Sequence, residues 1–260
     1  MKACILFAGL LIFGVANVSG IASFEPFGLE DTKLPFTCQQ DDIQWAGMTC
    51  PENEPCPIYL ELSGIASSGS RVFLAGNLHS AQTTLYSILL SSEDAGATWH
   101  EPVGRVRGEL LDHIQFENFE TGFVSGQRAV PLAGDPFLLV THDGGKTWRK
   151  VPILAEGSTG SILKFRFDSA LAGKLSIDRE SNDPDEPRYG LYETKDGAET
   201  WKLAESSSVP VKDAPAPQDD AGWRVRTDQD GKTFAVERLA GDKWVTAAKF
   251  TIQVGECREQ

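Results

Sequence analysis

Apolar and polar residues alternate in short runs along most of this chain, and the runs fall into groups of four. Residues 113–117 read His-Ile-Gln-Phe-Glu, which puts Ile114 and Phe116 on one face of a strand and His113, Gln115 and Glu117 on the other. Further runs at 122–125, 136–140 and 146–153 complete that group, each bounded by turn residues. The same succession is predicted at 162–168, 171–177, 189–194 and 199–203, and before it at 58–62, 71–75, 85–90 and 97–103. A last group has three runs. Trp223-Arg-Val-Arg-Thr-Asp228 matches Leu163-Lys-Phe-Arg-Phe-Asp168 in alternation and charge, and 233–239 and 243–252 form a hairpin across Ala240-Gly-Asp.

A repeated turn separates the third run from the fourth in each of the first three groups. It is spelled Ser92-Glu-Asp94-Ala-Gly96-Ala-Thr98-Trp99, then Thr141-His-Asp143-Gly-Gly145-Lys-Thr147-Trp148, then Thr194-Lys-Asp196-Gly-Ala198-Glu-Thr200-Trp201. The tryptophans lie 49 and 53 residues apart. Asp and Ser/Thr side chains bond the amides of a tight turn, Gly supplies positive φ, and Thr-Trp opens the next strand. The pattern resembles the Asp-box (BNR) repeat of sialidase-like, sortilin-like and photosystem II assembly-factor-like β-propellers. That resemblance implies an all-β fold, a small β-propeller of four blades with four antiparallel strands each, or alternatively five blades. The box residues then hold the hairpins together and do not contact ligand. The string from Thr227 to Phe234 offers a decayed fourth box, though it starts too soon after Trp201 to keep the period.

The period also suggests how the ring closes. Asp42-Ile-Gln-Trp45-Ala carries a tryptophan 54 residues before Trp99. As the outermost strand of the last blade it would run antiparallel to 243–252, with Cys38 and Cys257 just beyond the paired ends. A Cys38–Cys257 bond would latch the ring, and Cys50–Cys56 would staple the loop into the first blade.

The termini and composition set the setting. Lys2 followed by an apolar run from Ala3 to Val15, then small residues, reads as a signal peptide over 1–23, leaving one propeller domain over 24–260. An exported chain with four remaining cysteines is expected to hold two disulfides. No later run reaches the length of a membrane span. A net charge of −13 disfavours nucleic acid and anionic membranes as partners. The expected state is a monomer, secreted or periplasmic.

Chemistry is sparse. Sialidase catalysis, by the resemblance, needs an arginine triad opening in an Arg-Ile-Pro-like segment, a Tyr/Glu nucleophile pair and an Asp acid/base. Arg128-Ala-Val-Pro131 is the nearest string and falls in a turn, while Tyr59, Tyr86, Tyr189 and Tyr192 occupy ordinary strand positions. His79, His100, His113 and His142 lack metal-ligand spacing, so no catalytic residue, metal or cofactor is expected. Two candidate contact sets remain. Inner strands carry Glu61, His113, Glu117, Lys164, Arg166, Asp168, Arg224, Arg226 and Asp228, which converge on a central channel or else pair among themselves. Arg105 and Arg107 follow the first box. The expectation is an exported, non-catalytic module binding another protein or a glycan, with a sialidase-like glycoside hydrolase or a purely structural envelope protein as alternatives.

Overall fold

The structure is a computed structural model that describes residues 31–259 except 130–133, 182, 184, 213, 217–219 and 221. The expected signal sequence, 1–23, lies outside the described residues, as does Pro131. Blade 1 contains β1 (Cys56–Ser68), β2 (Arg71–His79) and β3 (Thr84–Ser92). Blade 2 contains β4 (Glu109–Phe116), β5 (Gly122–Arg128), β6 (Gly134–Thr141) and β7 (Arg149–Pro152). Blade 3 contains β8 (Ser161–Phe167), β9 (Gly173–Asp178), β10 (Tyr189–Thr194) and β11 (Lys202–Ser207). Blade 4 contains β12 (Trp223–Thr227), β13 (Thr233–Ala240) and β14 (Lys243–Thr251). A final strand, β15 (Gln253–Cys257), and one helix, α1 (Gln40–Ala46), complete the set. All ladders within the sheets are antiparallel, giving three four-stranded sheets and one three-stranded sheet. The fold is a four-bladed β-propeller, not the five-bladed alternative.

The three boxes have one construction. In the first, Thr98 N donates to Asp94 Oδ1 at 2.8 Å and Thr98 Oγ1 to Asp94 Oδ2 at 2.7 Å. Gly96 N donates to Ser92 Oγ at 2.8 Å, and Trp99 Nε1 to Gly96 O at 3.0 Å. Asp143, Thr141, Gly145, Thr147 and Trp148 reproduce these bonds. In the third box Asp196, Thr194 and Thr200 keep theirs, but Ala198 stands at φ 75°. There the buried Trp201 Nε1 has no hydrogen-bond partner among the described residues. Each carboxylate is held at a pKa of about 2 by the threonine hydroxyl and amide of its own turn.

Every box also docks its blade on the one before it. Trp148 stands edge-on to Phe73 of blade 1 and Phe116 of its own blade, and those two rings stack at 4.5 Å. Trp201 stands edge-on to Phe167, which stacks on Phe123 of blade 2 at 3.5 Å. Trp99 meets Phe250 of blade 4 at 5.6 Å. Three apolar clusters follow, joining blade 4 to 1, 1 to 2, and 2 to 3. Among the described residues no apolar cluster joins blade 3 to blade 4.

Closure differs from the expected scheme. Residues 42–46 are helical and do not form the outer strand of the last blade. Gln39 and Asp42 make a capping box, Asp41 and Asp42 lie in the first turn where the helix dipole favours anions, and Gly47 ends the helix at φ 61°. Only Ile43 of the apolar pair turns inward; Trp45 is 39 % exposed. The C-terminus supplies the extra strand instead: β15 pairs with β1 from Cys56↔Cys257 to Tyr59↔Gln253. Blade 1 accepts it although its own predicted fourth strand, 97–103, shrinks to a single Ser91↔His100 bridge. Pro102, with no amide hydrogen, cannot extend that ladder. The turn from Thr227 to Phe234 joins β12 to β13, the first hairpin of its blade, so it is not a box. The disulfides are Cys38–Cys257, across 219 residues, and Cys50–Cys56.

Candidate functional site

The innermost strands of three blades break register at corresponding points. The bulges fall between Leu62 and Gly64 in β1, Leu111 and Ile114 in β4, and Ile162 and Lys164 in β8. A bulge bends its strand and re-aims the side chains beside it. Two buried amides staple the strands together there. Leu111 N donates to Asn77 Oδ1 at 2.8 Å and Asn77 Nδ2 donates back to Leu111 O at 2.9 Å, joining blades 1 and 2. Gln115 does the same for blades 2 and 3, accepting from Phe167 N and donating to Phe167 O. Gly64 permits the close approach, since a Cβ there would lie 2.7 Å from Asp112 O.

Around these strands lies a central cavity of about 550 Å³. Its lining includes Ser63 and Ile65 of blade 1, His113 of blade 2, Phe165 of blade 3, and Trp223, Arg224, Phe234 and Trp244 of blade 4. Arg224 stacks over the Trp244 ring at 4.2 Å and pairs with Glu237 at 2.7 Å. Asp220 reaches in from the connection before β12, accepting from Ser67 N at 2.6 Å and Gly222 N at 2.8 Å. Ser63 Oγ donates to Leu111 O at 2.9 Å, so its proton is already engaged. His113 Nε2 sits 3.7 Å from Asp112 Oδ2. Burial pushes the Asp112 pKa up against the pull of His113, and Glu61 adds to the rise. The arrangement suits an extended ligand held on apolar walls, with the paired Arg224 guanidinium and the His113 imidazole beside it.

Of the inner-strand candidates, His113 and Arg224 line this cavity. Arg166 turns back on Asp168 at 3.0 Å, and Lys164 is exposed, with no ion pair among the described residues. Arg226 bridges Glu237 and Asp228, each at 3.1 Å, and Lys249 also reaches Asp228. Burial opposes the charge on Glu237, yet the two guanidiniums together hold its pKa below the ordinary carboxylate value. Glu117 lies at the turn after β4, its amide bonded to Thr121 O, and Glu61 accepts from Asn77. Arg105 and Arg107 bind the N-terminal segment: Arg105 pairs with Glu101 and donates to Pro35 O. Arg107 reaches the buried Asp42 at 2.6 Å, and Tyr86 donates to the same carboxylate. That clamp fixes α1 against blade 1.

Sequence reasoning missed Asn77, Asp220 and Trp244. Asn77 is one polar residue in an apolar strand, a signal that was available; Asp220 and Trp244 reach the cavity only through the path of the chain. Among the described residues no group of three or more His, Cys, Asp or Glu side chains is placed to hold a metal ion, and no helix is long and apolar enough to cross a membrane.

No protein-family model matches this chain, and no curated protein does. Solved structures do resemble it. YCF48 bound to a D1 peptide is 17 % identical, with a TM-score of 0.36 over 75 % of this chain and 53 % of that one. A GH74 xyloglucanase from Xanthomonas campestris is 18 % identical, with a TM-score of 0.39 over 70 % of this chain and 28 % of that one. A Trypanosoma rangeli sialidase is 13 % identical, with a TM-score of 0.36 over 68 % and 29 %. The chain spans about half the length of the first and less of the others.

Proposed function

We propose that this protein is an exported, non-catalytic binding module that holds an extended segment of a partner protein in its central cavity. The observation that carries the reading is the cavity itself: aromatic walls from blades 3 and 4, with Arg224 laid on Trp244 and His113 also in the lining. Such a site offers apolar contact area and a few oriented donors, the usual composition of a binding pocket. The polar groups beside it are engaged in ion pairs or backbone bonds, which supports holding over turnover. The two disulfides fit an oxidising compartment outside the cytosol.

A photo-crosslinking residue in place of Phe234, with recovery from intact cells and mass spectrometry, tests the reading. Capture of a defined peptide segment, lost on adding Trp244→Ala, is the expected result. Hydrolysis of fluorogenic glycosides, abolished by one carboxylate substitution, would replace it with the hydrolase alternative.

A further inference from the structure

The two disulfides lie side by side at one end of the β1–β15 ladder. Cys56 and Cys257 are register partners there, so their side chains leave the same face of the sheet. An antiparallel pair sets its Cα atoms about 4.5–5.5 Å apart, inside the roughly 4.4–6.8 Å that a disulfide spans. The bonded pairs stand at 5.1 Å for Cys38–Cys257 and 5.2 Å for Cys50–Cys56. All four cysteines share one apolar cluster, with Cys50 and Cys257 fully buried and Cys38 and Cys56 packed at its margin. Cys257 therefore has one bonded partner and, in Cys56, an unbonded neighbour within bonding reach. Cys38 is the accessible member: it is half-buried and lines a surface depression of about 670 Å³.

We propose that Cys38 is a thiol-modification site, and that its reaction with a small external thiol moves the Cys257 disulfide from Cys38 to Cys56. The external thiolate attacks Cys38 Sγ and forms a mixed disulfide there, while Cys257 leaves with the bonding electron pair. Cys257 then attacks Cys56 Sγ, forming Cys56–Cys257 and expelling Cys50, which takes up a proton. Two protein disulfides and one thiol become one protein disulfide, one mixed disulfide and one thiol, with no net oxidation. The ladder holds Cys56 opposite Cys257 whatever their bonds, whereas Cys38 lies outside any strand or helix. That difference favours the second step over its reversal, because the attack is intramolecular on a positioned target. The loop that loses its own bond keeps two others, Cys50 N to Glu259 Oε1 and Glu259 N to Cys50 O. The consequence is selective. β15 stays tied to β1, now directly, while residues 31–39 lose their covalent hold and are left with weaker ties such as Thr32 N to Lys249 O and Arg105 to Pro35 O. Modification thus frees the N-terminal segment without opening the ring, whatever the central cavity holds.

Brief treatment of the folded protein with 2-mercaptoethanol, a quench with N-ethylmaleimide and non-reducing peptide mapping test this. The expected product joins Cys56 to Cys257, with mercaptoethanol on Cys38 and maleimide on Cys50. Trypsin should cut after the exposed Lys33 about tenfold faster in that product than in untreated protein. Cys38→Ser enters at the second step and should be recovered with the same Cys56–Cys257 bond and Cys50 free. Maleimide on Cys257 with Cys50–Cys56 intact, in either protein, would overturn the transfer. Opening of Cys50–Cys56 before Cys38–Cys257, or no reaction until circular dichroism reports unfolding, would overturn Cys38 as the site. Should Cys38→Ser fail to fold, the treated native protein decides alone.

Discussion

The interface between blades 1 and 2 and the interface between blades 3 and 4 are built from the same repeat and end in opposite states. At the first, Trp148 is pinned by its indole bond to Gly145 O and stands against Phe73 and Phe116. At the second, blade 4 has no box and no apolar cluster joins the two blades among the described residues; Lys164, Arg166, Arg224 and Arg226 lie on the sheet faces away from the packed sides. The difference teaches what the box does. It turns a hairpin into a docking element for the preceding blade, and where it is missing the apolar interface is missing too.

Blade 4 is therefore supported by packing on one side, against blade 1, and the disulfide latch reinforces that side. Replacing Cys38 and Cys257 by Ser should give the largest loss, about 5 kcal/mol in the chain-entropy model, read from guanidinium denaturation. A small loss would mean that blades 3 and 4 support each other after all. Trp148→Ala comes next, at about 3–5 kcal/mol by the same assay, whereas Lys164→Ala should stay within about 0.5 kcal/mol. Comparable effects from the two would erase the contrast between the interfaces.

Smaller changes sharpen the comparison among the boxes. Gly145 sits at φ 85°, and a Cβ there would lie 2.4 Å from Phe73, so Gly145→Ala should cost about 1–3 kcal/mol. Ala198→Gly should go the other way, by about 1 kcal/mol, because it relieves a left-handed alanine. Nuclear magnetic resonance of the Trp201 indole proton would show whether the bond to the residue 198 carbonyl is recovered. The smallest effect is on pH dependence. The box carboxylates have folded pKa values of about 2 against an ordinary 3.8, so their contribution is complete above 3.8 and is lost as pH falls toward 2. Thermal melts of Asp143→Asn should lose part of that acid slope; an unchanged slope would remove the box from the acid response.

Most of the strand pattern was legible because each inner face alternates with period two and each box restarts the count. The helix at 40–46 was not, because Ile43 and Trp45 alternate as they would in a strand. What outweighs that alternation is the capping by Gln39 and Asp42, the stop at Gly47, and the clamp of Asp42 by Arg107 and Tyr86 from blade 1. The candidate site was legible in part. His113 and Arg224 were visible as polar members of inner strands, but which charges pair and which face the cavity depends on register. Glu237 is central to the blade 4 network, and nothing around it in sequence marks it.

The repeat and its turn chemistry follow from the sequence alone, since they rest on local bonds within eight residues and on alternation within each strand. Three outcomes come from the tertiary structure: the number of blades, the terminus that completes a sheet, and the charges that pair with one another. Those outcomes depend on contacts between residues far apart in the chain, where bulges, packing and charge pairing in three dimensions select among arrangements that the local pattern allows equally.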